Sequence, residues 1–591
     1  MKKFFVKMNK IFKENKIIIS IIIASIAYFS ICISKVLKPY NIYSWLLYFG
    51  LIILCVKTDI FSKKMEKESI ILSILFSFII VYGDVAYKLI YNRELSLFRE
   101  LITIKNFIKL IGGFNLLFII LKNILVLLDD FTLSKCNSKI NKKWVIFLIS
   151  FVVLLLAWLP YFLGFFPGAL SYDSINELSI VINNFTSVSD HHPVIHMLFI
   201  ALPYNIGLKI FGNITAAVAL STIFQMVSMS AIFSSFIVFL HKRRVNDYLL
   251  LLVLLYFAFV PMHGFYSIVM WKDVIFGGSL LLLTMESIKI IEKEKDNKLN
   301  FKNMISFILV SILCVFFRNN AIYMYFIFAL VSFVIFRKYF KVFAISFCIV
   351  FGTYIIVKGP IFNYLNVAKS ASAEYIGMPL QQIGRMAFKH VEFTKDEKEL
   401  IDKLIPIEIM SNSYKPNVSD GIKFNKNYNS KAFDENKLEY LKLYLKLVYK
   451  HPDVALEAYT ISTLGYWYPN LKYWSTIKDI LKNEYNLETK PKLPLNVQKA
   501  IIKLESRNLP ILNMEWSIGL VFWVILIFAM MSIRKNKLYG IYPFIPIIGI
   551  WITMMIASPV FGEFRYVYGA YTCLPLLMLC PYLLNKFKNK N

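Results

Sequence analysis

The run PVIHMLFIALPYNIGLKIFG, Pro193 to Gly212, decides how everything after it is placed. A helix needs about 20 apolar residues to cross a bilayer, and this segment is long enough. It nevertheless has Pro203 in its middle and carries His196 and Lys209, so it is also suited to lying along a membrane surface. The choice between crossing and lying sets the side of every later loop.

The surrounding chain leaves no doubt about the solvent. Of 591 residues, 58% are hydrophobic and 16% aromatic, and charged residues make up 17%, where a soluble domain carries about a quarter. Mean hydropathy is +0.59. The composition is that of a polytopic membrane protein. A net charge of +29 would suit nucleic acid, but the lysines sit in short clusters between apolar runs, as orientation-setting loops do, so nucleic acid is excluded as a partner. All seven cysteines fall in apolar runs or in a Lys-bearing loop, without a CxxC pair or a histidine at ligand spacing, so neither a disulfide framework nor a zinc site is expected. The N-terminal MKKFFVKMNKIFKENK precedes an apolar run as long as a span, with no small-residue cleavage site after it, and reads as an uncleaved first helix.

Fourteen apolar segments are predicted to span, near 17–35, 43–56, 69–90, 107–128, 144–163, 214–240, 247–262, 272–291, 303–317, 321–336, 341–357, 515–533, 540–557 and 565–584. Lysine and arginine mark the cytoplasmic side of short loops. The N-terminal tail, KTDIFSKKMEK, SKINKK, HKRR, EKEKDNK, Arg337-Lys338, RKNK and the final KFKNK all fall inside if Pro193–Gly212 does not cross. If it does cross, His241-Lys242-Arg243-Arg244 and each later basic loop invert. The segment is therefore laid along the outer interface, with both termini cytoplasmic. Asp84 and Lys122, in the first four spans, lie near helix ends and are expected to snorkel to the surface.

This places a four-helix membrane region at 1–143, a transmembrane core at 144–357 with its first outer loop at 164–213, one outer domain at 358–513 and three final spans at 514–591. Runs such as EYLKLYLKLVYKHPDVALEAYTI have apolar residues at helical spacing, so the outer domain is predicted to be mostly α-helical.

With that orientation the polar motifs gather on the outer face. The loop after the fifth span gives Tyr172, Asp173, Glu177 and the run Asp190-His191-His192-Pro193; the next gives PMHGFYSIVMWKD, with His263, Lys272 and Asp273. Arg318-Asn319-Asn320, AEYIGMPLQQIGR with Glu374 and Arg385, GYWYPN at 465–470, and SPVFGEFRYVYGAY with Glu563 and Arg565 complete the set. Ordinary readings stand beside these. Arg318 and Lys272 suit the lipid headgroup layer, GYWYPN suits an aromatic belt, and Asp190 suits a cap on the following helix. Asp173, just outside a span with no capping or basic partner within the next turn, is harder to explain as idle charge.

Together these groups suit a transferase with a lipid-linked donor. A hydroxyl or amine acceptor sheds a proton as it attacks an anomeric carbon, which calls for a carboxylate base. A polyprenyl-phosphate leaving group calls for cationic donors, and arginine meets phosphate with two prongs.

At these residues the chain resembles the GT-C superfamily of membrane glycosyltransferases, in particular the protein O-mannosyltransferases and the aminoarabinose transferases of lipid A. In that layout a first outer loop carries the catalytic aspartate, and juxtamembrane helices open at an HPP-like and close at an LFG-like motif. Here Ser171-Tyr172-Asp173, His192-Pro193 and Ile210-Phe211-Gly212 correspond. FFPGALSYDS, DHHP, FRNN, MPLQQIGR, GYWYP and EFRYVY further resemble a group of bacterial multispanning proteins of unassigned activity placed near that superfamily. The aspartate is not paired as Asp-Glu, as is common among the mannosyltransferases, and the domain ahead of the last three spans has no matching motif. The resemblance implies an all-α GT-C-like fold, with Asp173 as the acceptor-side base and His191 and His192 near the donor. It makes Arg565 the donor phosphate clamp, with Arg318 second, and the other candidate donor-site residues are Tyr172, Asp190, Lys272 and Glu563.

The expected activity is transfer of a sugar from a polyprenyl-phosphate carrier to a glycan, lipid or protein acceptor at the outer face of the cytoplasmic membrane, among its lipids and without a cofactor. A divalent cation is not indicated, since no compact cluster of oxygen ligands appears. The alternatives are a cell-surface glycan polymerase or ligase using a diphosphate-linked donor, and a flippase or transporter. A transporter would place ionisable residues near the midplane of broken helices.

The topology makes the first prediction. In a cysteine-free background, single cysteines at Ser187 and Asn417 are expected to react with an impermeant thiol reagent on intact cells, and one at Asn246 is not. Labelling at Asn246 would overturn the interfacial placement of Pro193–Gly212.

Overall fold

Each of the fourteen apolar segments falls on helix in the computed structural model, which describes residues 16–33, 41–57, 62–133, 142–370, 374, 376–471, 473–505, 512–557 and 560–584. Among these residues no strand forms beyond isolated bridges. Ten helices are long and apolar enough to cross a membrane, and the bent pair Asp247–Phe259 and Pro261–Ile268 makes an eleventh. Ile42–Lys57, Phe301–Phe317, Ala321–Ile335 and Tyr542–Ala557 are shorter apolar helices. The protein is thus an all-α, multi-pass membrane protein. One of the ten is Val194–Phe211, the segment laid along the interface above, so its length and hydropathy meet the requirement of a span as well.

The chain divides into two units. One comprises residues 1–132, 377–469 and 559–561, the other residues 133–376, 470–558 and 562–591. The stretch 358–513, expected to be one outer domain, is therefore shared between them, and buried polar groups give the reason. In the first unit Glu457 is 1% exposed and holds Arg385 (3.2 Å), Lys389 (2.9 Å) and the backbone N–H of Leu97 (3.0 Å). Tyr82 shares a hydrogen bond with Thr460 (2.6 Å), and the Tyr468 hydroxyl donates to Asp84 (2.6 Å). Buried polar atoms need such partners, and here residues 377–469 find them on the N-terminal helices.

Two expectations are corrected in this unit. Lys122 does not snorkel: it is fully buried and donates to the carbonyls of Ser62 (2.7 Å) and Lys64, tying a loop to its helix. GYWYPN is not an aromatic belt, because Tyr466 and Tyr468 are buried and bonded inside the unit, Tyr466 to the Val560 carbonyl at 3.0 Å. Arg385, fully buried, is likewise part of this packing.

In the second unit, three stretches of non-helical backbone meet. Pro261 starts the bent helix Pro261–Ile268, which ends in extended backbone at Val269. The N–H of Ala169 donates to the Ile268 carbonyl (3.0 Å), the N–H of Met270 to the Ala169 carbonyl (3.2 Å), and the N–H of Leu481 to the Leu170 carbonyl (3.0 Å). Buried Gln225, on the helix Ile214–Lys242, donates to the carbonyls of Ser267 (3.0 Å) and Val269 (2.8 Å). Unwound backbone inside an apolar protein must be satisfied in this way.

The turn leading into Ala169 requires Gly168. Its φ is +137°, and an added Cβ would sit 2.4 Å from the Thr222 hydroxyl and 3.2 Å from the Ile268 carbonyl oxygen. Gly212, at φ +67°, has open space around it. Gly168→Ala is expected to cost roughly 2 kcal/mol and lower the melting temperature in detergent, whereas Gly212→Ala should cost about half as much. Equal melting of the two variants would show that the Gly168 turn is not under this constraint.

Candidate functional site

The pairing at Ala169 and Leu170 delivers the chain directly into the helix Tyr172–Ile182. Ser171 caps it, accepting from the N–H of Ser174 (3.3 Å) and from the Trp271 indole (2.8 Å). Ser174 in turn donates to the Met270 carbonyl (2.7 Å). The start of this helix is thereby fixed to Trp271, the residue before the buried helix Lys272–Lys295. Asp173, Lys272 and Asp273 are brought together from positions a hundred residues apart.

Asp173 occupies the first turn of its helix with its side chain 31% exposed, and Arg565 reaches it from the 3-10 turn Phe564–Val567, donating at 2.5 Å. The guanidinium lies over the rings of Trp271 (5.3 Å) and Tyr566 (5.1 Å). Its Nε is 3.4 Å from Glu563, so one arginine serves two carboxylates. Burial by itself would raise the Asp173 carboxyl, but Arg565 and Lys272 outweigh it and hold the group well below the usual carboxylate range. Glu563 goes the other way. Burial, with Asp273 and Asp173 nearby, pushes its carboxyl up to about 7 against the pull of Arg565.

Arg318 closes the helix Phe301–Phe317 and is buried, paired with Asp273 at 2.7 Å and donating to the Tyr566 carbonyl at 2.8 Å. It is no headgroup anchor, because both its charge and its donors are engaged inside the protein.

One turn further along Asp173's helix, Glu177 is 1% exposed and receives a hydrogen bond from the fully buried His196. His192, 4% exposed, accepts from the Lys272 ammonium at 2.9 Å and lies 3.7 Å from Glu177. Burial and the positive Lys272 push the His192 imidazole down to about 3. Lys272 is thus an internal donor, not a headgroup contact. His191 is exposed and sets its ring edge against His192 at 4.4 Å.

Asp190 does not cap the next helix, whose start at Pro193 has no side-chain cap. It pairs instead with Lys358, which also donates to Asn319 (3.0 Å), while Asn319 donates to the Asp190 carbonyl (2.8 Å). Tyr172 stands 70% exposed beside Asp173. His263 lies elsewhere, fully buried among aromatic rings and bonded to Tyr568 at 2.9 Å.

Asp173, His192, Lys272, Arg318, Glu563 and Arg565 therefore form one constellation, with Tyr172 and His191 at its exposed edge and Asp190 in an adjoining pair. Sequence reasoning assigned no role to Glu177, His196, Asp273 or Lys358. The first two carried a signal: Asp173 and Glu177, like His192 and His196, are four residues apart and share a face at helical spacing. Lys358 carried none. Among the described residues no group of three metal-ligating side chains is assembled.

Two predictions concern this charge arrangement. Asp273→Ala leaves buried Arg318 without its counterion and is expected to cost about 3–5 kcal/mol of stability. Glu563 makes stability depend on pH. Its carboxyl lies near 4.5 when unperturbed and about 7 in the fold, so the folded protein holds an extra proton between those values. Its contribution is full below pH 4.5 and is lost as pH rises through 7, on the order of 3 kcal/mol. Melting curves of Glu563→Gln between pH 5 and 8 should lack that loss, and an unchanged slope would assign it to another group.

No curated protein and no solved structure matches the chain. The model of a family of unknown function, DUF6020, matches residues 180–589, a stretch that holds His191, His192, Lys272, Arg318, Glu563 and Arg565 and begins after Asp173. By that match, which covers more than half of its length, the chain belongs to the DUF6020 family.

Proposed function

We propose that this protein is a membrane glycosyltransferase of the GT-C type, moving a sugar from a polyprenyl-phosphate donor to an acceptor at the outer face of the cytoplasmic membrane. Fourteen spans and cytoplasmic termini belong to the same reading. The observation that carries it is the Asp173–Arg565 pair: a partly exposed carboxylate at the start of an outer-loop helix, held by a guanidinium and flanked by Lys272. Base and phosphate donor are adjacent, as transfer from a lipid phosphate requires.

The pair also supplies a sequence of events. At rest Asp173 is ionised but masked by Arg565, and a carboxylate so neutralised is a poor base. A donor phosphate offers Arg565 a two-pronged partner and draws it from Asp173. With its strongest cation gone, Asp173 becomes more basic while the donor is in place. The acceptor hydroxyl gives its proton to Asp173 as its oxygen bonds the anomeric carbon. The bond from that carbon to the phosphate oxygen breaks, and the electron pair leaves with the polyprenyl phosphate, whose charge Arg565 meets. Arg318, engaged with Asp273 and the Tyr566 carbonyl, is the weaker clamp.

Purified protein in lipid with radiolabelled undecaprenyl-phosphate sugars should release lipid phosphate, and failure to release it from any such donor would remove the reading in favour of a flippase or transporter. Asp173→Asn is expected to lower turnover at least about a hundredfold with normal expression. Arg565→Lys keeps the charge but loses the planar fork, and should raise KM for the donor or lower kcat. Unchanged kinetics in Arg565→Lys with impaired Arg318→Lys would transfer the clamp to Arg318.

A further inference from the structure

Lysine's ammonium has hydrogens to donate and no lone pair to offer, so in the contact between Lys272 and His192 the imidazole Nδ1 is the acceptor. A neutral imidazole that accepts at Nδ1 carries its hydrogen on Nε2. That Nε2 is buried, in a side chain only 5% exposed, and has no hydrogen-bond partner among the described residues. A buried donor left unmatched costs about 1–3 kcal/mol, which marks the place where a ligand oxygen completes the site.

The surroundings maintain this form. Lys272 is a cation at the start of an otherwise buried helix, and Glu177, 1% exposed, supplies negative charge beside it. Glu177 is itself held by the fully buried His196 and is not free to turn away. The titratable groups facing His192 are Lys272 from the helix Lys272–Lys295, Asp173 and Glu177 from Tyr172–Ile182, and its neighbour His191. Lys272 opposes a second proton on the ring, the two carboxylates favour one, and burial sides with Lys272.

We infer that His192 is a permanently neutral hydrogen-bond donor to a ligand oxyanion, fixed in its Nε2–H form by Lys272, with Glu177, itself held by His196, as the positioning residue 3.7 Å from the His192 Nδ1. A free phosphate and a lipid phosphate headgroup share the required chemistry. That the ligand is a lipid phosphate rests on the transferase reading, whereas the protonation state of His192 does not.

The test is selective 15N-histidine NMR on the full chain in lipid nanodiscs, with His192 assigned by subtraction using His192→Asn. The wild-type ring is expected to keep its Nε2–H signature from pH 8 to pH 5. Lys272→Met removes the opposing cation and leaves the two carboxylates, so the ring should become protonated within that range. Lys272→Arg keeps a cationic donor and should restore the fixed form. Glu177→Gln removes the carboxylate 3.7 Å from Nδ1, so the ring should stay neutral across the range while its Nδ1 signal shifts. A wild-type ring that titrates between pH 5 and 7, or carries its hydrogen on Nδ1, overturns the inference. Undecaprenyl phosphate and dibutyl phosphate are then added separately. Movement of the Nε2 signal by both identifies phosphate as the ligand chemistry, and movement by the lipid alone adds the chain to what is recognised. A signal that neither probe moves removes the ligand role. If the signal moves but no lipid phosphate is released from sugar donors, the transferase reading fails and the His192 assignment stands.

Discussion

The satisfaction of unwound backbone at Ala169 and Leu170 is the constraint on which the candidate site depends. A helix keeps its own hydrogen bonds, but a chain that leaves helical form inside an apolar protein must find partners elsewhere. Here the 268–270 segment takes one side and the 480–481 segment the other. Neither partner is local in sequence. Once the pairing forms, Ser171 lands on the Trp271 indole and the first turn of the next helix carries Asp173 to Lys272 and Arg565. Gly168 and Gln225 are the side-chain requirements of the same device: one leaves room for the turn, the other serves the exposed carbonyls.

Charge follows from that geometry. Buried carboxylates persist only with partners, so each cation in the constellation is engaged within the protein. Arg318 is spent on Asp273 and a backbone carbonyl, deep in the unit. Arg565 divides itself between Asp173 and Glu563, beside the partly exposed Asp173 side chain. The two arginines, equivalent in sequence as residues of turns between apolar helices, thus differ in what they hold.

Much of the fold was legible because hydrocarbon imposes a simple code. Fourteen apolar runs became helix because lipid forces backbone to bond internally, and that rule needs no long-range information. The division of residues 358–513 was not legible. Glu457 reads as an ordinary polar residue of the outer segment, and Tyr468 as part of an aromatic belt, until Arg385, Leu97 and Asp84 are seen beside them. Lys122 misled for a similar reason: a lysine near a helix end snorkels if nothing nearer accepts its hydrogens, and here the loop carbonyls of Ser62 and Lys64 do.

For the site, the sequence by itself determined which ionisable residues stand between the apolar runs, because such groups are disfavoured in hydrocarbon wherever they lie. Asp173, His192, Lys272, Arg318, Glu563 and Arg565 were all found that way. Only the tertiary structure decided their pairing. Whether Arg565 or Arg318 meets Asp173, whether Asp190 caps a helix or joins Lys358, and whether Lys272 faces lipid or His192 depend on contacts between residues up to 392 positions apart. Local spacing holds no record of such contacts, since electrostatic preference acts through distance in space and the chain's path sets that distance.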